Sequence, residues 1–187
     1  MILREKGEMA MIFLQTSRLY LRNISSKDAD IMFDYRNNDL CARYQRGQTQ
    51  DLPGITALIN QHMHDDLSVD AVSLIAVATK GSDELIGEIV VMPNDNTISL
   101  GYTISYRHHR KGYAFEALNT LIDHLHTQYP QWEFISFTDP QNTASMALLK
   151  KLGYRDMGYL PHRDSQIFGK WTTPETDAEI AAAVKGA

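Results

Sequence analysis

Polar and apolar side chains alternate along Arg18-Leu19-Tyr20-Leu21-Arg22, the period-two pattern of a half-buried strand. Ser26 followed by Lys27-Asp28-Ala29-Asp30 reads as an N-cap with acidic residues in the first turn, and Ile31 and Tyr35 carry on at helical spacing. A helix from about 26 to 37 is predicted. Pro53-Gly54 punctuates the chain, after which Ile55, Leu58, Ile59 and Met63 recur at helical spacing up to Asp65-Asp66, giving a second helix. From Val72 the period shortens again: Val72–Ala78, Leu85–Val91 and Thr97–Tyr106 are β-prone runs broken by Lys80-Gly81-Ser82-Asp83 and Pro93-Asn94-Asp95-Asn96. Three strands joined by tight turns predict an antiparallel meander.

After Gly112, the residues Ala114, Ala117, Leu118, Leu121, Ile122 and Leu125 form a persistent helical stripe that ends before Pro130, and Trp132–Phe137 reads as a strand. Strand, long helix and strand make a βαβ unit with parallel strands and a right-handed crossover. A helix from Thr143 to Leu152 stops at Gly153, and two strands near 154–160 and 165–171 close the domain. The predicted fold is mixed α/β (α+β): a mostly antiparallel sheet of about seven strands with one parallel βαβ pair and helices on both faces. Residues 12–172 are read as one domain, 1–11 as an N-terminal extension, and 173–187 as an Ala-rich C-terminal tail, helical or disordered.

Composition narrows the class. The 187 residues are 43% hydrophobic and 22% charged, the proportions of an ordinary globular chain. A net charge of −5 argues against a nucleic-acid-coating surface, and the single Cys41 against disulfides or a thiolate metal site. The apolar run Met9–Leu14 is too short to span a bilayer. A cytoplasmic protein with no nucleic-acid or membrane partner is expected.

Against this acidic background, the strand-to-helix junction Arg107-His108-His109-Arg110-Lys111-Gly112-Tyr113-Ala114 crowds cations and histidines onto a helix start. The first N–H groups of a helix have no intrahelical partner and its dipole is positive there, so such a junction can cradle phosphate. Gly112 and Ala114 let the backbone come close. Neither G-x-x-x-x-G-K-[ST] nor G-x-G-x-x-G occurs here. About thirty residues on, Asn142-x-x-Ser145 opens a helix that closes at Leu152-Gly153-Tyr154: singly a cap, an N3 residue and a stop, jointly a pattern.

On these residues the chain resembles the GNAT acetyltransferases, and more closely their RimJ/RimL-like branch, which acetylates protein N-terminal amines and some small-molecule amines. The resemblance runs from about Leu14 to Trp171. It rests on Thr16-Ser17-Arg18-Leu19-Tyr20-Leu21-Arg22, Leu100-Gly101-Tyr102-Thr103-Ile104, Lys111-Gly112-Tyr113-Ala114-Phe115-Glu116-Ala117-Leu118, Asn142-x-x-Ser145 and Leu152-Gly153-Tyr154. It implies the GNAT acyl-CoA acyltransferase fold and transfer of acetyl from acetyl-CoA to a primary amine, a protein N-terminus or a small molecule, in a ternary complex without metal. The backbone of Tyr102, Thr103 and Ile104 would pair with the pantetheine arm. The amides of His109, Arg110, Lys111, Gly112, Tyr113 and Ala114 would hold the pyrophosphate where two parallel strands part. Asn142 would bond the arm near the thioester, and Ser145 or Tyr154, the more acidic hydroxyl, would protonate the departing thiolate.

Three positions depart from the pattern. His109 and Arg110 stand in the loop where the family often has Gln or Arg and Gly. Ser99 occupies the strand position where many members carry a Glu, so the general base is open between Glu88 and a chain of waters. A turn-flanked strand Glu is more often solvated than catalytic, and the missing strand carboxylate keeps a second class in view, a catalytically inactive CoA-binding sensor or regulatory module. His62-x-His64 and His124-x-His126 do not share a helix face, so neither makes a metal site, and Asp65, Asp66 and Asp70 read as a solvated acidic turn. The oligomeric state, monomer or homodimer, is left open.

Overall fold

The computed structural model describes residues 10–48 and 50–186. Most of the segment read as an N-terminal extension lies outside the described residues. The chain runs β1 (Ile12–Gln15), β2 (Leu19–Asn23), α1 (Ala29–Arg36), α2 (Asp39–Ala42), α3 (Leu52–His62), β3 (Ser73–Thr79), β4 (Leu85–Asn94), β5 (Thr97–Ile104), α4 (Tyr113–Gln128), β6 (Glu133–Thr138), α5 (Thr143–Lys151), β7 (Arg155–Leu160), β8 (Ser165–Lys170) and α6 (Pro174–Lys185). The strands order as β1-β2-β3-β4-β5-β6-β8-β7, mostly antiparallel, with β5 and β6 the parallel pair. The expected fold is therefore present, with eight strands in place of about seven. The additional strand is β1, a four-residue edge strand paired with β2.

The chain divides into two compact units, and β4 and β5 pass through both. The first unit holds the described residues up to Leu67, Ser73–Val90 and Tyr102–Tyr113. Its core gathers Ile24, Met32, Tyr35, Ile55, Ile59 and Leu74. The predicted start of the first helix shifts by one residue: Ser25 is the cap, its N–H bonded at 2.9 Å to the Asp28 carboxylate in a capping box, and a short 3-10 turn over Ser26–Asp28 leads into α1. Asp51 caps the third helix through Gly54 N–H at 2.8 Å. Arg22, an outward position by alternation, is only 1% exposed. Its guanidinium forks onto Asp28 at 2.8 and 2.9 Å and reaches Asp83 at 2.7 Å, so a buried charge is kept by two carboxylates.

The second unit holds Ser68–Val72, Val91–Gly101 and the chain from Ala114 onward. The apolar stripe of α4 is buried as its spacing predicts, through Ala117, Leu118, Leu121, Ile122 and Leu125. The α5 helix ends in a Schellman arrangement: Gly153, at φ +84°, donates to the Lys150 carbonyl, and Tyr154 N–H donates to Leu149. The tail is helical over Pro174–Lys185, where Thr173 caps the helix and Ile180 and Val184 pack on Ile135, Leu160 and Ile167.

Candidate active site

The basic junction, as far as Tyr113, lies in the first unit. From the end of β5 the chain makes a 3-10 turn over Tyr106–His108, extends at His109 (φ −62°, ψ 156°), and enters α4 through Arg110 at φ 61° and Gly112 at φ 81°. Arg110 and Gly112, on either side of Lys111, share the left-handed region. Gly112 adopts that φ without strain; Arg110 does so at a cost that the surroundings must hold. Several ties hold it. His109 Nε2 donates to the Ile104 carbonyl at 2.8 Å, Lys111 Nζ to the Arg107 carbonyl at 3.1 Å, and Arg18 Nη1 to the Lys111 carbonyl at 3.1 Å. Arg107 pairs with Asp34 at 3.3 Å. Cations of the cluster therefore tie down the loop, and the first N–H groups of α4 have no partner within the helix. Burial, joined by Lys111 and Arg107, holds the His108 imidazole below its ordinary value, so it is neutral at pH 7.

Tyr102, Thr103 and Ile104 close β5. Gln45 Nε2 reaches the Tyr102 carbonyl at 3.3 Å and the Thr103 hydroxyl at 3.0 Å, and the Cys41 thiol donates to the Ile104 carbonyl at 3.4 Å. Gly87 allows β4 to run against this segment, since a Cβ there would stand 2.3 Å from the Thr103 carbonyl oxygen.

In the second unit the β5–β6 ladder covers only Thr97–Glu133 and Ile98–Phe134. Beyond it, Ser99 Oγ donates to the Ile135 carbonyl at 2.7 Å. Ser99, standing in place of a strand carboxylate, thus serves as a strand bridge at the point where the parallel pair stops. In α5, Asn142 caps the helix by accepting Ser145 N–H at 3.1 Å, and Ala114 lies in the first turn of α4. Tyr154, 4% exposed, follows the Schellman turn directly. The bland roles of Asn142 and Gly153 read from sequence are both present.

Glu88 is not the solvated side chain that a turn-flanked position suggests: it is 2% exposed. Its Oε1 accepts Arg36 Nη2 at 2.6 Å and Nε at 3.1 Å, and Gln48 Nε2 at 3.4 Å, while Oε2 accepts the Tyr35 hydroxyl at 2.8 Å. Burial and the Glu88 charge push the Tyr35 phenol well above its ordinary value, so it stays a donor. The carboxylate ties β4 to α1. Asp65 also departs from the solvated reading: it accepts His62 Nδ1 at 2.8 Å and Leu74 N–H at 2.9 Å. Among the described residues, no group of three or more His, Cys, Asp or Glu side chains could hold a metal ion, and no helix is long and apolar enough to cross a membrane.

A mostly antiparallel sheet with one parallel pair thus leads, through a loop with two left-handed residues, into the helix α4. Residues 18–155 match the family described as Acetyltransferase (GNAT) domain, and the chain belongs to the GNAT family of N-acetyltransferases, enzymes that use acetyl-CoA. It is 28% identical over 152 residues to the uncharacterized N-acetyltransferase p20 of Bacillus licheniformis, covering 79% of this chain and 84% of that protein. Its fold matches RimL, a ribosomal L7/L12 alpha-N-protein acetyltransferase, with a TM-score of 0.74 at 12% identity over 90% of this chain and 98% of that one. It also matches the microcin C7 self-immunity acetyltransferase MccE, solved with acetyl-CoA and AMP, with a TM-score of 0.70 at 17% identity over 83% and 93%.

Proposed function

We propose that this protein transfers the acetyl group of acetyl-CoA directly to a primary amine, either a protein N-terminus or a small molecule, in a ternary complex in the cytoplasm. The observation that carries the reading is the loop His109–Gly112 before α4, with Arg110 and Gly112 left-handed, the His109 and Lys111 side chains tied to the Ile104 and Arg107 carbonyls, and the Lys111 carbonyl held by Arg18. Backbone N–H groups from Arg110 to Ala114 hold the donor's pyrophosphate, and the backbone of Tyr102–Ile104 and Asn142 hold its pantetheine arm. The protein-N-terminus class is supported by the fold shared with RimL and by the opening Thr16-x-Arg18-Leu19-x-Leu21-Arg22.

The amine attacks as the neutral base, so it must first lose a proton. Glu88, engaged by Arg36 and Tyr35, anchors α1 to β4, and the proton leaves through water. Of the two hydroxyls proposed to return a proton to the departing thiolate, Tyr154 is preferred over Ser145, because a phenol with an ordinary pKa of about 10 is far the stronger acid. Thiol release from acetyl-CoA, measured against a panel of N-terminal peptides, polyamines, amino acids and aminoglycosides, tests the reading. Release that requires one amine class is expected. CoA binding without release on any amine would turn the reading to a CoA-responsive regulatory module.

A further inference from the structure

The opening motif Thr16-Ser17-Arg18-Leu19 has no part in the chemistry above, yet the structure spends several bonds on it. Thr16 Oγ1 accepts the N–H groups of Arg18 at 3.2 Å and Leu19 at 2.9 Å, and Thr16 N–H donates to the Leu19 carbonyl at 2.9 Å. The Arg18 carbonyl in turn accepts Lys80 N–H at 2.9 Å. This fixed turn between β1 and β2 delivers one side chain across 93 residues of sequence onto the loop before α4. Arg18 Nη1 donates to the Lys111 carbonyl at 3.1 Å, and its guanidinium carbon stands 4.4 Å from the centroid of the Tyr113 ring. Its Nη2 lies 3.6 Å from where a Cβ on Gly112 would be.

The Lys111 carbonyl and the Gly112 N–H belong to one peptide plane, and in a trans peptide they point in opposite directions. A donor that captures the carbonyl on one side fixes the N–H on the other. Glycine is also the residue at which a peptide plane turns over most easily, and the turned-over plane would aim the carbonyl oxygen at a bound anion. We infer that Arg18 is a positioning residue for the acetyl donor: by holding the Lys111 carbonyl and stacking on Tyr113, it keeps the Gly112 N–H facing the pyrophosphate. It acts through the backbone and does not touch the phosphate. A Lys at this position keeps the charge and loses both the fork and the stacking plane.

This inference rests on the reading that the loop holds the donor's pyrophosphate, and the experiment separates the two. Steady-state kinetics and calorimetric CoA titration are run on the wild type, Arg18→Ala and Arg18→Lys, with S-acetylpantetheine as a second donor that carries no pyrophosphate. Expected are a rise of about tenfold in the KM for acetyl-CoA with kcat unchanged, nearly the same for both variants, and no change with S-acetylpantetheine. Tyr113→Leu, which removes the stacking plane at a different residue, gives the same pattern with a smaller rise. Full rescue by Lys, or an equal loss with both donors, overturns the role in aiming the peptide. A wild type that binds no CoA overturns the donor-site reading itself, whereas a wild type that binds while Arg18→Ala binds equally well overturns only the inference.

Discussion

Glu88→Gln separates an anchor from a general base. The substitution keeps the shape and an acceptor for Tyr35 but removes the charge opposite Arg36, whose Nη2 lies 2.6 Å from Oε1 with the two side chains 5% and 3% exposed. Removing one partner of a buried pair costs about 3–5 kcal/mol because the other charge stays buried. The remaining amide oxygen places this case near the lower end, about 3 kcal/mol. For a chain of this size that lowers Tm by roughly 6–12 °C. A domain with about 5–15 kcal/mol of stability remains folded at 25 °C. Differential scanning calorimetry and turnover at 25 °C therefore give separate answers: a clear loss of Tm, with kcat within about tenfold of wild type and the acidic limb of the pH profile in place. Loss of a true general base would cost about 10²–10⁴ in rate. A fall of that size in a variant still folded at the assay temperature, with the acidic limb gone, would refute the anchor role and make Glu88 the base.

Tyr154→Phe removes only a hydroxyl and is expected to lower kcat about 10²-fold with little change in the KM for acetyl-CoA, measured by thiol release; normal turnover alongside a hundredfold loss in Ser145→Ala would hand the role to Ser145. Gly87→Ala places a Cβ 2.3 Å from the Thr103 carbonyl oxygen, so β4 and β5 must shift, and a thermal scan should show a loss of about 1–3 kcal/mol. The His108 imidazole is depressed by burial, so its neutral form stabilises the fold above the unfolded value of about 6.5, and that contribution is lost as pH falls through the folded value. Melting curves between pH 7.5 and pH 5 should accordingly fall less steeply in His108→Gln than in wild type, and parallel curves would dismiss the effect.

What could be read from the chain was what local sequence determines. The α4 stripe, the Asn142 cap and the Gly153 stop each depend on residues within a turn or two, and each stands where the spacing puts it. The four-residue β1 and the single-turn α2 were invisible, being shorter than any period can register. Burial of Arg22 and Glu88 was hidden for a different reason. Their partners lie far along the chain, Asp83 for Arg22 and both Tyr35 and Arg36 for Glu88, so alternation gave Arg22 to solvent and a neighbouring turn gave Glu88 the same. In the loop, composition revealed the cations and left their work concealed, because a lysine that binds a neighbouring carbonyl and one that meets a phosphate read alike.

The claim that the His109–Gly112 loop seats the acetyl donor meets its most direct test in a calorimetric titration of CoA into the wild type and Gly112→Glu. The substitution adds bulk and negative charge at a φ of 81°, where the account sets backbone against the anion, and the added Cβ would meet Arg18 Nη2 at 3.6 Å, an ordinary contact. The account predicts saturable one-site binding to the wild type and none to the variant, whose circular dichroism matches wild type. Equal binding by both proteins would contradict it.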